Sequence, residues 1–152
     1  MQIFVTDANP AIAAARLWQN PKRAIKMITE SCQIIACGQQ HFGLTLVTKK
    51  DGSPFATLQS RMNHPVIQWA REDKRHLGWV VRHLFALSSH YQGQGFQWLP
   101  QNLSLLKQQG LDQLAPPDYY CNFAKADAKQ LDFRHMSNVF VAYDAFLKAQ
   151  NS

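Results

Sequence analysis

Polar residues recur at spacings of four, four and three through Lys22, Lys26, Glu30 and Gln33, within an otherwise largely apolar stretch. That spacing defines one face of a helix. Ile25, Ile28, Cys32 and Ile35 form an apolar stripe beside the polar file, flanked by Met27 and Ile34. Asn20 suits an N-cap and Pro21 the first helical position, where a missing N–H removes no bond. The pattern predicts a helix from there to about Gly38. The preceding "DANPAIAAARLW" predicts another, capped by Asp7 or Asn9, with Pro10 in the first turn and strong helix formers behind it. "QIFV", ahead of both, reads as a short strand or an extended lead-in. In "LTLVTKKDGSPFATL" β-branched residues precede a Lys-Asp-Gly-Ser turn signal, which predicts a small hairpin or a long loop.

Helical patterning resumes at "NHPVIQWARED", again with a proline, Pro65, near the start. Leu77, Val80, Val81, Leu84 and Leu87 then form a helical core stripe, and Gly93 and Gly95 are expected to end that helix. "QNLSLLKQQG" reads as a short helix stopped by Gly110, and "APPDYY" as a turn. An amphipathic helix is expected from about Ala126 to Ala149. No repeat, low-complexity tract or linker interrupts the pattern. The expected architecture is one mainly α, compact domain over residues 1–152, with a short N-terminal strand and room for a small hairpin.

Composition narrows the function. A chain of 152 residues suits one domain and is long enough for a real core. Hydrophobic residues make up 46% and charged residues only 17%, which excludes a disordered chain. Sixteen Lys and Arg against ten Asp and Glu leave a formal charge of +6, which favours a polyanionic partner. Cys32, Cys37 and Cys121 contain no CxxC pair and leave one over, so no disulfide framework is expected. "MQIFVTDANP" lacks a charged leader region and no apolar run is long enough to span a bilayer. A cytoplasmic protein is the expectation, with no membrane partner.

Candidate chemistry begins with the polar file. Read blandly, it is a solvated face with one Lys26–Glu30 pair contributing about 0.2–0.5 kcal/mol. Lys22 and Lys26 repel each other at that spacing, however, and Arg23 adds a third cation to the same turn. An anion such as a phosphate near the helix N-terminus would remove the repulsion. A second basic region gathers Arg61, Arg71, Lys74, Arg75 and Arg82, relieved only by Glu72 and Asp73. His76, His83 and His90 recur every seven residues, about 10.5 Å apart on a helix, too far for one metal ion. A hydrogen-bonding rim with the neighbouring arginines is the alternative expected for them, beside a plain solvent face. Asn63 and His64 either cap the helix that follows or point polar groups into a site. The tryptophans and tyrosines read as core, or as platforms for an unstacked base. No Gly-rich phosphate loop, nucleophile elbow or H-E-x-x-H zinc motif occurs, and no metal or cofactor is implied.

"IFVTDANPAIAAA", "KRAIKMITESCQIIA", "NHPVIQWARE" and "SSHY" together resemble a family of small phage proteins. Its members begin with an extended IFxLDxDPxxAA segment, continue with a DKHVVKMxxExAQ helix and NHPxxxWxR, and carry a later EY at the end of a long helix. Order and approximate spacing hold over nearly the whole chain, the last third only in helical character. The family is grouped with the phage pyrimidine-dimer DNA glycosylase and lyase of the endonuclease V type, a compact helical fold. It also resembles, in its phage setting, enzymes that hypermodify thymine. The resemblance picks out Asp7, Lys22, Lys26, Glu30, Gln33, Asn63, His64, Pro65, Trp69 and Arg71. Pro21 and Arg23 replace the Asp and His of the family helix, and "GQGFQ" replaces a basic run after its long helix.

What the resemblance implies is an enzyme on a pyrimidine base of double-stranded phage DNA, in the cytoplasm of an infected bacterium. The expected reaction is a transfer in which a small amine or amino acid displaces pyrophosphate from activated 5-hydroxymethyluracil. The alternatives are a pyrimidine glycosylase with abasic-site lyase activity, and a non-catalytic basic DNA-binding module. Glu30, Lys26 and His64 are the expected catalytic residues. Lys22, Arg23, Gln33, Asn63 and Asp7 are expected to hold substrate or phosphate, and Arg71, Lys74, Arg75 and Arg82 to steer the duplex. The lyase of this type uses its N-terminal amine. Here the bulk of Gln2 is expected to keep Met1 in place, which alters that arrangement.

Overall fold

Three prolines open helices where the missing donor is harmless, and the residue before each supplies the cap. The computed structural model describes residues 1–151, with side chains to Gln150. Helix α1 (Pro10–Leu17) is capped by Asn9, whose Oδ1 accepts from the Ala11 N–H at 2.9 Å. Asp7 supports that cap by accepting from the Asn9 N–H at 2.8 Å. Helix α2 (Pro21–His41) is capped by Asn20 and runs three residues past Gly38. Helix α4 (Pro65–Glu72), which follows the short α3 (Leu58–Arg61), is capped not by Asn63 but by His64, whose Nδ1 accepts from the Val66 N–H at 3.2 Å.

Helix α5 (Lys74–His90) is the centre, packed against α1, α2 and α4. Leu77, Val80, Val81, Leu84 and Leu87 are all buried, as their spacing predicts, and each adds roughly 1.5–3 kcal/mol of hydrophobic stabilisation. Gly38 of α2 sets the closeness of this packing: a Cβ there would lie 2.6 Å from Leu77 Cδ1. Every residue from Ile34 to Gln39 is buried, so this stretch of α2 is enclosed on all sides, while Gln40 and His41 beyond it are exposed. Ile25 departs from the predicted stripe and stands 38% exposed. Its place is taken by Ala24 and Met27, because the covering elements lie on the Met27 flank.

Residues 44–57 form a loop with one bridge, Thr48 to Pro54, in place of a regular hairpin. Buried amides hold it where a partner strand would: Asn102 exchanges two hydrogen bonds with Thr48, and Gln39 Oε1 accepts from the Val47 N–H at 2.8 Å. Helix α6 (Leu99–Gln108) ends before Gly110, which takes the left-handed conformation at φ +71°.

The long closing helix expected from Ala126 is not formed. Strands β1 (Lys125–Ala126) and β2 (Leu131–Asp132) pair antiparallel, and α7 (Val139–Asn151) starts thirteen residues later than expected. Short polar side chains capture the backbone and so stop a helix from propagating. Asp132 Oδ1 accepts from the Arg134 N–H at 3.0 Å, and Asn138 Oδ1 caps α7 through Phe140 N–H at 3.0 Å. The N-terminal segment also forms no strand. Ile3, Phe4 and Val5 are buried in extended chain broken at Phe4, whose φ is +47°.

Among the described residues there are seven α-helices and one two-stranded sheet, and no helix is long and apolar enough to cross a membrane.

Candidate active site

Two distant parts of the chain meet over the first turns of α2. Gln2 is the joint. Its Nε2 donates to the Phe123 and Lys125 carbonyls at 2.6 and 3.0 Å, and buried Tyr143 donates to its Oε1 at 3.3 Å. Phe4 stacks on Phe146 of α7 at 5.8 Å, which holds a backbone conformation that costs a bulky residue about 1–3 kcal/mol. Between these parts lies a cavity of about 270 Å³, lined by Met1, Phe4, Arg23, Lys26, Glu30, Phe123 and Lys125.

The Met1 amine lies 3.8 Å from Glu30 Oε1, with the two groups only 7% and 19% exposed. Arg23 and Lys26 complete that wall, and among the described residues neither has a carboxylate within ion-pair distance. Arg23 lies 5.5 Å over the Phe4 ring, with its Nε buried and unpartnered. Burial holds its guanidinium below the ordinary value, opposed by the Glu30 carboxylate. Two cations with no carboxylate at ion-pair distance among the described residues, near the start of a long helix, suit an anion. Lys125, on the opposite wall, lies 5.8 Å over Phe123 and pairs with Asp127 at 3.0 Å.

His64 approaches from behind this lining, edge-on to Phe123 at 4.9 Å. Burial lowers its pKa first, then the nearby N-terminal ammonium, then Arg61. Its Nδ1 is an acceptor in the α4 cap, so the neutral ring carries its proton on Nε2.

The expected file therefore divides. Lys26 and Glu30 share the cavity with Arg23, while Lys22 is exposed to solvent outside it. Gln33 belongs to a neighbouring groove with Thr29, Lys49 and Trp98. Asn63 lines a third recess with His41, Arg71 and Glu72. Asp7 lies 3.7 Å from Arg16 and serves the α1 cap rather than the cavity.

Of the expected basic strip on α4 and α5, Arg75 is the member neutralised by carboxylates among the described residues, while the others are engaged by carbonyls or a ring. Arg75 is held by Asp73 and Asp118 at 2.8 and 2.9 Å, and hydrogen bonds from Arg75 pull Asp73 down to about 2. Arg82 donates to the Leu114 carbonyl. Lys74 lies 5.7 Å over the Phe42 ring, and Arg71 donates to the Met62 carbonyl at 3.3 Å. The histidine rim is not formed, because His76 and His83 are core. His76 stacks on Trp69 and bonds its carbonyl at 2.6 Å, whereas His83 stacks on Trp79 with neither ring nitrogen partnered. Only His90 of the three is exposed. Trp69 and Trp79 donate to the Tyr119 and Ala8 carbonyls, so both are structural anchors.

Phe4, Phe123 and Lys125 have no signal in local patterning. They reach the cavity through contacts more than a hundred residues apart, of which Gln2 to Phe123 is one. Compared with family models, curated proteins and solved structures, the chain matches none, so a functional reading stands on the geometry of this cavity.

Proposed function

We propose that this chain is an enzyme of DNA that acts at a pyrimidine nucleotide through an amine–carboxylate pair, as a glycosylase and abasic-site lyase. The observation that supports this is the Met1 amine, 3.8 Å from Glu30 in a cavity whose wall also carries Arg23 and Lys26. An amine is the nucleophile for an aldehyde carbon, and a carboxylate beside it takes up its proton once the two close to hydrogen-bond distance.

The amine attacks C1′ of the opened sugar, and Glu30 receives the proton released and returns it to the departing hydroxyl, so that loss of water leaves an iminium and a carboxylate. Glu30 then removes a C2′ proton, and that electron pair expels the 3′ phosphate. Hydrolysis of the imine returns the amine. Arg23 and Lys26 carry the phosphate charge through these steps. On an intact nucleotide the same attack displaces the base, which must first leave the stack to expose C1′.

A second reading is supported by Arg23 and Lys26 themselves: two cations on one turn suit a pyrophosphate leaving group. In that reading Glu30 deprotonates a small amine that displaces pyrophosphate from activated 5-hydroxymethyluracil. One experiment separates the two. Duplexes carrying either an abasic site or the pyrophosphorylated base are incubated with the protein and pooled amines, then analysed by denaturing gel and nucleoside mass spectrometry. Strand incision at the abasic site is the expected result. A new base adduct without incision moves the chain to the transferase. Neither product makes it a non-catalytic binder.

A further inference from the structure

We infer that the groove beside the cavity is a stacking subsite for an unpaired base of the same nucleic-acid strand, next to the reacting nucleotide. It rests on the reading of the cavity as a DNA site and names how the rest of the strand is held.

The groove has a volume of about 550 Å³ and lies between α2, the turn at 49–53 and the segment before α6. Helix α2 joins the two places. Glu30 turns into the cavity, while Thr29 and Gln33 turn into the groove. At about 1.5 Å per residue, Gln33 lies roughly 4.5 Å beyond Glu30 along the axis and roughly 10.5 Å beyond Lys26. Those spans correspond to about one to three nucleotides of a strand at 3.4 Å each. A phosphate on Lys26 thus sets the next bases over the groove.

The wall facing α2 is aromatic. Trp98 meets Phe55 edge-on at 4.6 Å and Phe96 at 5.0 Å. Phe55 is buried behind, while Phe96 and Trp98 are half-buried and line the groove. The segment is fastened by Tyr91, whose hydroxyl accepts from the Gly95 N–H at 3.1 Å. Such a supported ring accepts a base of any identity, because every base has a π-face.

Charge at the rim fits the strand's backbone. Lys49 and Lys50 are exposed, and among the described residues neither has a carboxylate within ion-pair distance. Asp51, which lines the same groove and feels the charge of Lys49, is engaged by Ser53, accepting from its N–H at 2.9 Å and its hydroxyl at 2.6 Å. The side chain of half-buried Gln33 makes no hydrogen bond within the described residues, which leaves its amide for a base edge. An aromatic face, an amide without a side-chain partner among the described residues and two exposed ammonium groups match a nucleotide whose base has left the stack. A fully paired duplex presents no base face to such a groove.

The test uses oligonucleotides, single-stranded and duplex, with an abasic site and 2-aminopurine one, two or three nucleotides from it. The expected result is a fluorescence change on binding at one of these positions. Trp98→Leu should abolish it and weaken single-strand binding about tenfold. Replacing the exposed Lys49 and Lys50 by Gln, which puts no strain on the fold, should reduce the salt slope of single-strand binding by about 1.4. No fluorescence change at any position, or an unchanged salt slope in the lysine variant, overturns the subsite. Incision is read on the same wild-type samples. Incision without a fluorescence change removes the groove and leaves the active site; a fluorescence change without incision does the reverse.

Discussion

Helices α2 and α5 carry similar polar signals and use them in opposite ways. On α5, Arg75 is neutralised by Asp73 and Asp118, Arg82 is bound to a carbonyl, and His76 and His83 are enclosed in the core. On α2, Arg23 and Lys26 have no carboxylate within ion-pair distance among the described residues and line a cavity that holds a carboxylate and an amine. The difference teaches that cations at helical spacing indicate a site only once the rest of the chain has declined to pair with them. Asp118 and Leu114, from a distant loop, engage Arg75 and Arg82 of α5. The segments that cover α2, residues 1–4 and 123–127, bring the Met1 amine, which faces Glu30, and Lys125 with its own counter-ion Asp127.

The largest expected effect sharpens the α2 side. Glu30→Gln should lower incision of an abasic duplex by about 10²–10⁴-fold, the usual contribution of a positioned general base, while the melting temperature is kept. Steady-state incision with a parallel thermal melt checks both parts.

The α5 side is tested by acid. Burial pushes His83 down from 6.5 to about 3, so between those values the unfolded chain binds a proton that the folded chain refuses. Stability is therefore full above about pH 6.5 and falls as pH drops toward 3, with a slope of up to about 1.4 kcal/mol per unit. His64, lowered mainly by its own burial, acts in the same direction. Urea unfolding between pH 7 and 5 should show this loss, and His83→Leu should remove the greater part of it.

The smallest effect compares the two helices directly. Lys26→Ala should reduce the salt slope of duplex binding by about 0.9, the value for one phosphate contact, and Arg75→Ala should leave it unchanged. Equal changes in both variants would erase the distinction drawn here.

Much of the fold was legible because it is local. The caps at Asn9 and Asn20, the prolines behind them and the stripe from Leu77 to Leu87 all follow from neighbouring residues. The errors have physical causes. A spacing of seven puts His76 and His83 on the seam that carries Val80 and Leu87, so it marked core rather than rim. "AKADAKQ" has helix-forming composition, yet Gln2 captures the Lys125 carbonyl and Asp132 turns the chain. At the site, periodicity found Lys26 and Glu30 but placed Lys22 and Gln33 with them, although a helix face sweeps past more than one recess. Phe4, Phe123 and Lys125 depend on tertiary contacts and leave no local trace.

The central claim is that the Met1 amine and Glu30 form a nucleophile–base pair. Borohydride reduction during incubation with an abasic duplex, followed by peptide mapping, tests it most directly. A covalent protein–DNA adduct on the Met1 peptide, lost when the amine is acetylated, is the predicted result. No adduct, or one mapped to a lysine and unchanged by acetylating the Met1 amine alone, would contradict it.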